Sequence, residues 1–377
     1  MDFSFNEEQR ILRGEVRGFL EKECPKSLVS DLETDSKGYS AELWSKMAEM
    51  GWMGFVFPEA YGGLGANFID LAILMEECGR ACLPSPFFST VVMSGLGILE
   101  AGDEKQKENL LSSIINGDLI SSFAINERKA DYSELDICME AKKDGEEYIL
   151  NGVKLFVLDA NISDLMIVPC RTGLGNEDGQ GLSLFLVDSD IPGIKFNPMR
   201  SIDGRNQCEV IFKDVKVAED KLLGEFNKGW VYIKNLWPKW LVAKCAEMVG
   251  SARSVLDMTV NYVKEREQFG KPLGAFQIVQ HCCSDMLTLV EGCNILTYQA
   301  AWEISENLPA GKSSAIAKAW CSEAFKKVTK LAAQIHGSIG FTEEYDLHLY
   351  YKAAKAGELF LGDTTFHHKE IANIIGL

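Results

Sequence analysis

Asp136–Ala160, "DICMEAKKDGEEYILNGVKLFVLDA", decides the fold. It holds β-type runs broken by Gly, Asn and Asp turns, the pattern of short paired strands. The runs around it read alike: "LISSFAINE" (119–127), "DLMIVPCRT" (164–172), "LSLFLVDS" (182–189), "GIKFNPM" (193–199) and "CEVIFKDVKV" (208–217). Their spacing predicts an antiparallel barrel or sandwich over 119–227. Within it "TGLGNEDGQG" (172–181) reads as a hairpin tip. It does not carry the Lys-Ser/Thr of a phosphate loop and opens no helix.

Both flanks are helical. In "FNEEQRILRGEVRGFLEKE" the residues Phe5, Ile11, Leu12, Val16, Phe19 and Leu20 recur at helical spacing. "SAELWSKMAEMGW" follows, with Ser40 as its cap, and "FIDLAILMEECGRACL" and "TVVMSGLGILEAG" read as buried helices. "DEKQKENLLSSIINGD" runs from a capping Asp103 to Gly117, and "PEAYGGLGAN" is a glycine-rich loop. Helices return over 228–266, 276–306, 310–337, 344–358 and 366–374, rich in Ala and small residues that suit bundle packing and a subunit interface. The fold class is therefore α+β: a helical domain over 1–118, a β-domain over 119–227 and a helical bundle over 228–377. Helices, then strands, then helices exclude the alternating order of a Rossmann fold.

Composition narrows the function. Acidic residues outnumber basic ones 55 to 38, a net charge of -17. That field repels nucleic acid and anionic membranes. No apolar run reaches the length of a membrane span, and the acidic, amphipathic start is unlike a signal peptide. Eleven cysteines without CxxC spacing fit free thiols in a reducing cytoplasm. The five histidines show no zinc-binding spacing.

Many phrases, in order along nearly the whole chain, resemble the acyl-CoA dehydrogenase family of FAD flavoproteins. They are "FNEEQRIL", "MGWMGFVFPEAYGGLG", "ILEAGDEKQKENLL", "YILNGVKLFV", "CEVIFKDVKVAEDKLLGEFNKGW", "REQFGKPLGAFQIVQH" and "QIHGSIGFTEEYDLHLYYKAAKA". The resemblance implies an N-terminal helical domain, a central β-domain and a C-terminal four-helix bundle. It implies FAD between β-domain and bundle, its adenosine end completed by a neighbouring subunit in a homo- or hetero-oligomer. It implies an acyl-CoA thioester as substrate and an electron-transfer flavoprotein as electron acceptor. In the implied reaction a carboxylate takes the α-proton while a hydride leaves the β-carbon for the flavin.

Carried over position by position, the resemblance assigns cofactor binding to several residues. Arg266 in "REQFG" faces the FAD pyrophosphate, and Phe269 packs beside the cofactor. Gln277, Gln334 and Gly337 complete the adenosine side, with Ser338 standing where the family has a second glycine. Phe156 covers the flavin ring, and Thr365 falls with the cofactor positions after the last helix break. The flavin-facing strand departs from the family. "NERKADYSELD" keeps Glu127 without the usual Pro and Gly-Ser, and Leu158 replaces a hydroxyl residue.

The sharpest departure lies in "AAKAGELFLGDTTFHH". Leu361 occupies the usual catalytic Glu position, before a retained Gly362. The alternative position on an earlier bundle helix is Trp240. Several readings stay open. Asp363 or Glu358 serves as a relocated base, or Asp363 simply caps the last helix. The chain is the base-less subunit of a heteromeric enzyme. It performs other chemistry on an acyl-CoA, such as oxidation, monooxygenation or decarboxylation. Or it binds without catalysis.

Overall fold

The computed structural model describes residues 5–129, 132–173 and 181–377. Most of the expected hairpin tip, 174–180, lies outside the described residues.

The elements run α1 (Glu7–Glu23), α2 (Lys26–Leu32), α3 (Ala41–Glu49), α4 (Phe68–Ala81), α5 (Leu96–Ala101) and α6 (Glu104–Ile115). Strands follow: β1 (Ser121–Phe123), β2 (Glu140–Asp144), β3 (Glu147–Leu158), β4 (Leu165–Arg171), β5 (Leu182–Asp188), β6 (Ile194–Arg200), β7 (Asn206–Ala218) and β8 (Leu222–Leu223). The 37-residue α7 (Gly229–Glu265) comes next. A short hairpin, β9 (Glu267–Gln268) and β10 (Lys271–Pro272), leads into α8 (Gln277–Ser305), α9 (Gly311–His336), α10 (Leu347–Leu359) and α11 (Thr364–Ile374). The chain divides into two compact units: one of Met1–Asp31, Asn67–Leu83 and Leu241–Leu377, the other of Leu32–Ala66 and Pro84–Trp240.

The first unit is helical. Ala317, Ala324, Ala332 and Ala333 on α9 pack with Met248, Val249, Phe325, Val328 and Leu347 in its core. Backbones touch where α4 crosses α7. A Cβ on Gly250 would meet the Glu76 carbonyl at 1.7 Å, and one on Gly79 the Glu247 carbonyl at 1.9 Å. Only glycine permits that approach. The side of α1 bearing Val16 and Leu20 faces inward, and Arg13 and Arg17 reach Glu76 and Glu77 of α4 at 2.7 Å each. Tyr298 of α8 donates to Glu76 at 2.5 Å. Ile11, expected on the buried face, is exposed because the arginines and Val16 fix the rotation of α1.

The second unit is built on an eight-stranded sheet in the order β6-β7-β3-β2-β4-β5-β8, with β1 on β4. Most pairs are antiparallel, as expected, and Tyr148, Leu150, Val168, Phe185 and Phe212 fill its core. Two pairs are parallel, β1 with β4 and β2 with β4. Neither pair is joined by a hairpin; β2 and β3 intervene between β1 and β4, so the parallel direction is open. The expected helix over Thr90–Gly102 is wound as a π-helix through Phe88–Gly95 before tightening into α5. There the Thr90 hydroxyl accepts the Ser121 amide and donates to the Ser121 carbonyl, which ties the segment to β1. Ser40, Asn67 and Asp103 cap their helices as side-chain acceptors.

Candidate functional site

Left-handed backbone recurs on the segments expected to form the site. Nine described non-glycine residues have positive φ. Five are Asp, Asn or Cys: Cys82, Asp159, Asp214, Asn227 and Asn307. The other four are Tyr132, Phe156, Phe269 and Leu361. A bulky side chain in this region is strained and persists where its surroundings impose it, which is common at ligand sites. All four lie on segments singled out above from sequence.

In the helical unit, Arg266 directly follows α7 and is exposed, with no ion-pair partner among the described residues. Phe269 and Gly270 form the two-residue turn between β9 and β10, both at positive φ. That turn type favours Asn-Gly, yet Phe269 stands 91% exposed at its tip. Its ring meets Phe276 edge-on at 6.1 Å. Gln277, the first residue of α8, and Gln334, in the last turn of α9, are also exposed. Gly337 leaves α9 at φ 66, and a Cβ there would meet nothing within 4 Å. This backbone is open to a ligand. A free guanidinium, exposed aromatic and amide side chains and an open glycine fit the diphosphate and adenosine of a dinucleotide.

The corner between α10 and α11 carries Leu361, the residue the resemblance sets at the base position. Leu361 is 1% exposed, and its carbonyl meets His367 Nε2 at 2.9 Å. Lys318 of α9 is wholly buried. Its ammonium donates to the Gly362 and Glu358 carbonyls at 2.9 and 3.2 Å and to Ser322 Oγ at 3.1 Å. Burial pushes the Lys318 amine down to about 8. Burial, then the neighbouring Lys318, holds His367 down near 4, so this imidazole is neutral at pH 7. The carboxylates nearby have structural partners. Glu358 pairs with Lys326 at 2.6 Å, and Asp363 caps α11 by accepting the Phe366 amide at 2.7 Å. Thr365 is exposed in the first turn of α11.

In the β-containing unit, Lys154 is buried against Glu127 at 2.8 Å, and Glu127 accepts the amides of Cys138 and Met139. Glu127 is thereby a fixed strut for the start of β2. Phe156 sits where the β3–β7 register shifts and is 42% exposed. Leu158, with no hydroxyl, is buried. Trp240 is wholly buried; its indole N–H donates to the Val92 carbonyl of the π-helical segment at 3.1 Å. Phe123 packs edge-on against it at 4.9 Å, and Trp237 links it to Tyr132. Trp240 is thus held by an indole hydrogen bond and by aromatic contacts.

The sequence reading missed Lys318. A lysine inside an alanine-rich helix reads as solvated, and only the fold reveals the carbonyls it serves.

The acyl-CoA dehydrogenase N-terminal, middle and C-terminal domain models match residues 6–118, 122–215 and 227–376. A probable acyl-CoA dehydrogenase of Bacillus subtilis is 31% identical, covering 99% of each chain. A subunit of the caffeyl-CoA reductase-Etf complex of Acetobacterium woodii is 29% identical, covering 98% of this chain and 99% of its own. The structure of the ChsE4-ChsE5 complex of Mycobacterium tuberculosis superposes with a TM-score of 0.90 at 25% identity, covering 100% of this chain and 99% of that one. The architecture and matched domains define an oxidoreductase of the acyl-CoA dehydrogenase type. The chain belongs to the acyl-CoA dehydrogenase family.

Proposed function

We propose that the chain binds FAD and an acyl-CoA thioester, and that it exchanges electrons with an electron-transfer flavoprotein in the cytoplasm as part of an oligomer. One observation carries the reading: the four bulky residues at positive φ all fall on the segments that the family devotes to flavin, substrate and base. Arg266 would hold the pyrophosphate in a bidentate grip, with Phe269, Gln277, Gln334 and Gly337 along the adenosine end and Phe156 over the ring. FAD supplies a hydride acceptor when bound. The chain's own residues orient it, and the buried Leu361 and Trp240 keep the two usual base positions dry. The relative from Acetobacterium woodii, named as part of an Etf complex, supports the choice of electron carrier.

A second reading concerns the proton. α-Proton removal needs a carboxylate within hydrogen-bond reach. Leu361 and Trp240 offer none, Glu358 is paired with Lys326 and Asp363 caps α11. We propose that none of the four is a base, and that the chain works beside a competent subunit or on a step that removes no α-proton. The hetero-complex ChsE4-ChsE5, which shares this fold, supports the first arrangement. Purification of the chain alone, followed by its visible spectrum and anaerobic addition of acyl-CoA, tests both readings. Bound flavin that stays oxidised until a partner is added is the expected result. A colourless chain that takes up no FAD would remove the cofactor reading.

A further inference from the structure

His336 closes α9 immediately before the open Gly337, and no role is assigned to it above. It is buried, and both ring nitrogens are engaged. Nδ1 lies 2.8 Å from the Ala332 carbonyl, and Nε2 lies 3.2 Å from the Tyr345 hydroxyl. A carbonyl can only accept, so Nδ1 carries the proton and Nε2 accepts from Tyr345. Tyr262 stacks on the imidazole with centroids 4.3 Å apart and planes at 24°. Its hydroxyl reaches back to the His336 carbonyl at 3.4 Å. Tyr345 covers another side at 5.1 Å.

These three rings join three segments. Tyr262 is one helical turn before Arg266, whose amide donates to the Tyr262 carbonyl at 2.8 Å. His336 lies between Gln334 and Gly337. Tyr345 leads into α10. The turn Gly337–Phe341 folds back on this end of α9: a Cβ on Gly340 would meet His336 Cβ at 3.0 Å. The same turn presents Ile339 and Phe341 to solvent. The end of α7 and the turn after α9 are held by one polar, fully satisfied stack, which fixes rotamers more tightly than apolar packing.

We propose that the Tyr262–His336–Tyr345 stack is a positioning device for the adenosine-diphosphate half of FAD, aligning the Arg266 end of α7 with the Gly337 turn. The inference rests on the cofactor reading above and adds residues that touch no cofactor themselves.

The test uses the full chain and measures Kd for FAD by flavin fluorescence and for ADP by competition. The variants are His336→Leu and Tyr345→Phe; the second removes only a hydroxyl. His336→Leu raises both Kd values about tenfold, and Tyr345→Phe raises both about threefold. The midpoint of thermal unfolding of Tyr345→Phe stays within about 2 °C of the parent. Parallel loss for FAD and ADP places the effect at the adenosine end. Unchanged Kd values for both ligands in Tyr345→Phe, with the parent binding FAD, overturn the proposal. A parent chain that binds neither FAD nor ADP overturns the cofactor reading together with it.

Discussion

Leu361 is buried at a rigid corner, where the proposed reading sets it in place of a carboxylate. Its neighbours keep the corner shape: Gly362 at positive φ, Asp363 capping α11, and His367 and Lys318 holding the carbonyls. The side chain alone departs. Leu361→Glu restores a carboxylate on a corner that is already rigid. We expect acyl-CoA to bleach the flavin of this variant about 100-fold faster than that of the parent, the usual worth of a positioned base. Equal rates would place the missing proton chemistry elsewhere. Arg266 admits a second prediction at this scale. Arg266→Ala should weaken FAD at least about tenfold, and Arg266→Lys should recover little, since an ammonium cannot make the bidentate contact. Motif and order single out Arg266, Phe269 and Leu361 in the sequence as candidates. Backbone strain is not legible there: a left-handed φ at Phe156 or Phe269 runs against the preference of the residue, and only the surrounding fold imposes it.

At the scale of elements, two ionisable groups contribute to stability. Lys318 joins α9 to the end of α10. Lys318→Met leaves the Gly362 and Glu358 carbonyls without that donor and should cost about 2–3 kcal/mol in urea unfolding; an unchanged midpoint would show that water replaces the ammonium. Asp159 directly follows β3 and accepts from Ser89 of the π-helical segment at 2.5 Å. Burial raises its carboxyl to about 6 from 3.8. A raised folded value favours the protonated native state, so its contribution is complete below about pH 4 and is lost as pH rises through 6. The residue keeps some exposed surface, which discounts the effect to about 1–2 kcal/mol. Asp159→Asn should remove that slope and leave the chain more stable than the parent at pH 8. A parallel pH profile would contradict this. Helix caps at Ser40, Asp103 and Asp363 were legible because they depend on neighbours in sequence. The π-winding of Phe88–Gly95 and the parallel β1–β4 pair were not, because both depend on partners far along the chain.

At the scale of the molecule, the order of helices, strands and helices fixed the class, and the family matches extend it over almost the whole chain. A chain with this frame and no carboxylate at either base position is expected to act in company. Native mass spectrometry of the chain co-expressed with an acyl-CoA dehydrogenase chain that carries a base glutamate should reveal a mixed oligomer; exclusive self-association would favour a step that removes no α-proton. The central claim is a flavin-bearing chain without its own base. Anaerobic mixing of the purified FAD-loaded chain with acyl-CoA, followed at the flavin absorbance, tests it most directly. The account predicts a yellow protein whose flavin stays oxidised alone and bleaches in Leu361→Glu. Rapid bleaching of the unaltered chain by itself would contradict it.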